Sequence, residues 1–190
     1  MIPDSLIERA NIIAKEESER TGVPILDVIE LANNEGQRLA ELKGADKRTV
    51  LLGTLLMDAW LGEAMKEGKQ PEHAEYCAGK AEELLDRFPE VSPEERENIL
   101  SCVREHHGGT KFHSIESEIC CNADCYRFAS IRGMFASLAR MRRMPLTDLN
   151  GLLRAKLEEK WKAITIFEVK EELEPEYWKI RDFLYGWDGE

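Results

Sequence analysis

The sequence predicts an all-α protein, a single-domain helical bundle. Apolar residues recur at intervals of three and four along almost the whole chain, the spacing that lines one face of an α-helix. Apolar–polar alternation and the Asn-Gly or Asp-Gly pairs of tight hairpins are nearly absent, so strands have little support. The third observation is punctuation: Pro24 and Pro71 sit where a first helical turn tolerates a missing N–H, Gly44 and Gly108 where a left-handed C-cap is wanted, and Ser-Pro-Glu-Glu from Ser92 forms a capping box.

Taken in order, an acidic, amphipathic helix is expected over residues 4–21, then one over 25–43 that starts behind Pro24 and stops at Gly44. The apolar run Val50 to Trp60 sits within a helix over 46–67, and Pro71 opens another over 71–88. The capping box starts a helix over 93–107, followed by long helices over 114–143 and 147–168 and a last one over 175–186. The β-like run Ala-Ile-Thr-Ile-Phe-Glu-Val, residues 163–169, has no second strand to complete its hydrogen bonds and is read as helical or irregular. No repeat of 20–50 residues is visible.

Composition narrows the functional classes. At 190 residues the chain fits one domain with a core of its own. With 26 Lys plus Arg against 37 Asp plus Glu, a net charge of -11, nucleic acid and anionic membrane surfaces are not expected partners. The N-terminal stretch lacks a secretory pattern and no apolar run is long enough to span a bilayer, so a cytoplasmic location is expected. Five clustered cysteines, Cys77, Cys102, Cys120, Cys121 and Cys125, suit free thiols in a reducing compartment.

Asp58 interrupts the stretch Val-Leu-Leu-Gly-Thr-Leu-Leu-Met-Asp-Ala-Trp. With apolar residues on every face of that helix, the carboxylate points into protein, where it must be neutralised, paired or bound to a metal. The four histidines, His73, His106, His107 and His113, all follow it, and a second unusual acid, Asp124, lies in Asn-Ala-Asp-Cys-Tyr-Arg-Phe. Singly, each histidine has an ordinary reading as a surface, helix-terminus or loop residue.

In order, the series Asp58, His73, His106-His107 and Asp124 resembles the HD-domain superfamily of metal-dependent phosphohydrolases, over roughly residues 24 to 128. The resemblance implies an HD-type helical core over 24–144, with an N-terminal helix over 1–23 and a C-terminal helical extension over 145–190 packed on it. It also implies metal ligation by Asp58, His73, His106 and His107, with catalytic roles for Asp58 and for Asp124 as an orienting group. Two departures stand out: Met57 replaces the histidine of the family's His-Asp doublet, and no histidine precedes His73. Both remove the first metal position of the family, so one ion is expected rather than two. Imidazoles with a carboxylate suit divalent Mn, Fe, Co, Ni or Zn.

Cysteine ligation of zinc is the rival site, although paired Cys-x-x-Cys knuckles are missing. From Cys125 through Thr147 the chain has no acid but carries Arg127, Arg132, Arg140, Arg142 and Arg143. Of these Arg127, one turn from Asp124, is the expected phosphate contact together with Lys111; the distal arginines suit a solvated face. The apolar stripe Gly133, Met134, Phe135, Leu138 and Met141 suits core or a homodimer contact. The C-terminal aromatics from Trp161 to Trp187 are expected to pack the extension onto the core. Two functions follow: hydrolysis of a nucleotide or small phosphoester, or a lapsed HD-type protein that binds an ion or nucleotide as sensor or scaffold.

Overall fold

The computed structural model describes residues 1–141 and 144–186; Arg142 and Arg143 of the basic island and the aromatic Trp187 lie outside the described residues. Among those residues the chain is all helical. The helices are α1 (Asp4–Thr21), α2 (Leu26–Lys43), α3 (Lys47–Leu56), α4 (Leu61–Lys66), α5 (His73–Leu85), α6 (Pro93–Arg104), α7 (Ile115–Ala129), α8 (Ile131–Arg140), α9 (Leu146–Ala163) and α10 (Phe167–Tyr185), with a short 3₁₀ turn over Gln70–Glu72.

Most boundaries follow the chemistry of the caps. Gly44 takes a φ of 67° behind α2, and the Ser92 hydroxyl accepts from Glu95 N at 3.2 Å while the Glu95 carboxylate accepts from Ser92 N at 3.0 Å. Three boundaries differ from the sequence reading. The helix expected through Asp58 ends at Leu56, and residues 57–60 form a turn before α4. The single helix expected over 114–143 is broken at Ser130, whose extended ψ of 152° ends α7 and whose hydroxyl accepts from Gly133 N at 3.0 Å to start α8. A Cβ at position 133 would strike the Tyr126 carbonyl, so only glycine lets α8 fold back this closely on α7.

The third difference is α10, which begins at Phe167 and runs through Pro175. Its buried positions Val169, Leu173, Tyr177, Ile180 and Leu184 form one continuous stripe, whose burial outweighs the one hydrogen bond that proline removes. The β-like residues before it are extended but not paired with another strand. Asn122 on α7 serves them instead, its Oδ1 accepting from Thr165 N and Ile166 N, both at 3.1 Å.

Helix α7 is the central post, buried on nearly all its faces, and packs against α2, α3, α6, α8, α9 and α10. One apolar cluster lies between α7 and the C-terminal helices, built from residues such as Leu39, Ile119, Leu153, Leu157 and Leu173. A second joins α1, α3, α5 and α6 through residues such as Leu6, Leu52, Leu56, Leu85 and Ile99. Trp161 and Tyr177 pack α10 on α9, stacked at 4.2 Å with the Lys170 ammonium 3.5 Å above Trp161, whereas Phe167, Trp178 and Phe183, expected to pack the extension onto the core, are exposed because they lie off the buried stripe of α10. Two apolar hollows of about 250 Å³ each run between α8, α9 and α10 and share Leu138 and Phe183.

Candidate metal centre

Asp58, His73, His106 and Asp124 meet between the two apolar clusters, each delivered by a different element. The turn after α3 presents Asp58, 6% exposed, while Met57 beside it is core filler at 1%. His73 opens α5, and His106 and His107 follow the end of α6. Asp124 projects from α7 and is 1% exposed.

The three imidazoles form one cluster, with ligand nitrogens within 4.8 Å of one another. His73 Nε2 lies 2.8 Å from His107 Nε2, and Asp58 Oδ1 lies 3.2 Å from His73 Nε2 and 3.6 Å from His106 Nε2. Their outer nitrogens are engaged. His73 Nδ1 is 2.8 Å from the Gln70 carbonyl and His106 Nδ1 is 2.7 Å from the Val103 carbonyl, which places the proton on Nδ1 and the lone pair on Nε2 in both rings. His107 Nδ1 has the Glu159 carboxylate at 3.1 Å and the Lys160 ammonium at 2.9 Å. With its lone pair on Nε2, His73 accepts there from His107 Nε2, and His107 Nδ1 accepts in turn from the Lys160 ammonium. Imidazoles held by an oxygen acceptor on the far nitrogen are the usual preparation for metal ligation.

Two atoms settle whether a cation fits. Asp58 Oδ1 and His106 Nε2 are fully buried and have no hydrogen-bond partner. Buried polar atoms left unpaired are costly. A divalent ion held by the imidazole nitrogens, displacing the proton shared by His73 and His107, and by this oxygen would satisfy them, and the donor set suits it.

Burial and the neighbouring charges set the protonation of these groups. Burial pushes His106 down to about 3 despite the pull of Asp58, so it is a neutral ligand at ordinary pH. Burial also opposes charge on His73, but Asp58 more than compensates and raises it. Burial raises Asp58 too, yet the Arg127 guanidinium and the imidazoles hold it well below the usual carboxylate range.

The second carboxylate faces organic cations. Asp124 Oδ1 accepts from Arg127 at 2.7 Å, and Asp124 Oδ2 lies 2.5 Å from the Lys160 ammonium. Arg127 also donates through the same nitrogen to Asp58 Oδ2. Burial disfavours charge on all three partners of this set, and the opposite charges overcome it: Asp124 is lowered while Arg127 and Lys160 are raised. Lys160, 2% exposed, has no counterpart among the residues expected from sequence. Its context, Leu-Glu-Glu-Lys-Trp-Lys, reads as a charged solvent face; its only signal is the spacing from Leu153 and Leu157, which share its buried stripe.

Solvent reaches the histidines through a cleft of about 330 Å³ lined by Gln70, Pro71, His73, His107, Lys156 and Glu159. Arg127 is buried beneath the carboxylates, whereas Lys111 and His113 are exposed in the loop before α7 and do not line this cleft. All five cysteines are buried free thiols. Among the described residues, metal-ligating side chains converge in the histidine trio and in no group that contains a cysteine.

No family model and no curated protein matches this sequence. The structure is similar to the crystal structure of a predicted HD superfamily hydrolase from an uncultured Thermotogales bacterium, with a TM-score of 0.67 and 16% identity over 94% of this chain and 88% of that one. This chain therefore shares the fold of that structure, and carries within it a histidine cluster beside the Met57-Asp58 pair.

Proposed function

We propose that this protein is a metal-dependent phosphohydrolase acting on a nucleotide or small phosphoester. The observation that carries the reading is the cluster of three imidazoles with Asp58 Oδ1 3.2 Å from His73 Nε2 and 3.6 Å from His106 Nε2, that oxygen and His106 Nε2 being buried and unpartnered. His73, His106, His107 and Asp58 would hold one divalent ion, of Mn, Fe, Co, Ni or Zn. Such an ion supplies Lewis acidity toward a phosphoryl oxygen and toward water.

The side chains supply the rest. Asp58 is both a ligand and the catalytic carboxylate nearest the cleft, and Asp124 orients it through the shared Arg127. Arg127 stabilises anionic charge from below. Lys156 lines the cleft beside His73 and His107, so it is better placed than Lys111 to receive a phosphate entering from solvent. The five free thiols favour a reducing compartment, and we assign the activity to the cytoplasm on that ground.

One observation favours the second reading, a lapsed protein that binds an ion without turnover. Asp124 has both oxygens committed to Arg127 and Lys160, which leaves few carboxylates free to move a proton. Elemental analysis combined with a phosphoester panel in Mn, Co, Ni and Zn separates the two. The hydrolase reading expects bound metal and product from the wild type, with both lost in His106→Ala and His107→Ala. Turnover that survives both substitutions would overturn it, and metal without product in the wild type would favour the sensor.

A further inference from the structure

The carboxylate of Asp58 faces two ways. Its Oδ1 is turned to the imidazoles and lacks a hydrogen-bond partner, while its Oδ2 accepts from Arg127. On that second side Arg127 continues to Asp124 Oδ1, and Lys160 closes on Asp124 Oδ2. The four side chains Asp58, Asp124, Arg127 and Lys160 are all buried, and their formal charges cancel.

On its Asp124 side this buried set is already neutral and already paired and offers nothing to an additional cation. A divalent ion approaching Asp124 would meet an ammonium and a guanidinium in a low-dielectric interior, where like charges repel strongly. The side of His73 and His106 is the reverse, with inward lone pairs and an unpartnered Asp58 oxygen, and the Lys160 ammonium reaches the trio only at the outer nitrogen of His107. Lys160 also comes from α9, so the segment that covers the core carries this charge into the centre.

We propose that Arg127 and Lys160 are built-in counter-cations that occupy the Asp124 side of the centre, restrict it to a single divalent ion and aim Asp58 Oδ1 at His73 and His106. Both are positioning residues, acting through Asp58 and Asp124. The inference rests on the metal-centre reading above, and the metal count separates failure of one from failure of the other.

The test is the number of ions per chain after stripping with chelator, reloading with excess Mn or Co and desalting, together with the thermal midpoint with and without the metal. Wild type is expected to hold one ion. Lys160→Met exposes Asp124 Oδ2 to a new ligand and is expected to hold two, with a larger metal-dependent rise in midpoint than wild type; Lys160→Arg restores the single ion. If Lys160→Met does not fold, Lys160→Gln keeps a donor toward Asp124 without the charge and is expected to show the same second ion. Two ions in wild type would overturn the inference while leaving the metal centre intact. A single ion with an unchanged thermal response in the folded Met or Gln variant would overturn it too. No ion in wild type would remove the metal centre and this inference with it.

Discussion

Asp124 shows at the scale of one residue how burial and pairing set pH dependence. Burial raises its pKa, Lys160 and Arg127 more than offset this, and the carboxyl ends below the ordinary range. An unfolded aspartate titrates near about 3.9. Between that value and the folded one, the unfolded chain binds a proton that the folded chain does not, so stability rises with pH across the window. The contribution is present in full above the unfolded value and is lost progressively as the pH falls from there through the folded value. Urea midpoints collected from about pH 5 down to about pH 2 should fall steeply for wild type, with a slope approaching about 1.4 kcal/mol per pH unit for each such group. Asp124→Asn should be less stable at neutral pH by roughly 3–5 kcal/mol, because it leaves two buried cations poorly paired. Its acid limb should be shallower than that of wild type, although not flat, since Asp58 is lowered in the same way. Equal slopes in the two proteins would show that Asp124 carries no such linkage.

At the scale of elements, the site depends on helices that stop in particular places. Asp58 reaches the histidines because α3 ends at Leu56 and the next residues turn, yet nothing in the apolar run announces that break. A uniformly apolar stretch carries no phase, so periodicity could place the aspartate in protein but could not show the helix ending beneath it. The caps at Gly44 and Ser92 were legible because local chemistry alone decides them. The passage of α10 through Pro175 was not, since the stripe that holds it together is a tertiary effect. Gly53 offers a direct test of how tightly these elements are fitted. A Cβ there would lie 2.6 Å from Cys120 Sγ on α7 and 2.6 Å from Cys102 Cβ, an atom fixed to the α6 backbone that cannot swing aside. Gly53→Ala should therefore destabilise the fold by about 1–3 kcal/mol despite alanine's better helix propensity. A midpoint in denaturant equal to or above that of wild type would mean that α3 moves away at no cost.

The whole molecule explains why the centre could be read only by half. His73, His106, His107 and Asp58 are residue types that need a reason when buried or clustered, so their order along the chain carried information. Lys160 is an ordinary residue in a charged helix, and its role exists only because α9 lies across α7 and brings the ammonium to Asp124. The sequence reading treated residues 145–190 as an extension packed on a core, and we propose instead that α9 and α10 are part of what makes the core and the centre. They cover α7 with Leu149, Leu153, Leu157, Val169, Leu173, Tyr177, Ile180 and Leu184, and fully burying a side chain of this size contributes about 1.5–3 kcal/mol. Over these eight residues the gross gain is at least as large as most of the roughly 5–15 kcal/mol net stability of a typical domain. A chain ending at Met144 would also leave Asp124 without Lys160 and open the wall of the cleft formed by Lys156 and Glu159. Such a chain is expected to lose its cooperative thermal transition and its near-ultraviolet circular dichroism, whether or not helical signal persists in the far ultraviolet. Cooperative melting of residues 1–144, with metal bound as in the full chain, would show that the last two helices are an appendage and that the centre is complete without them.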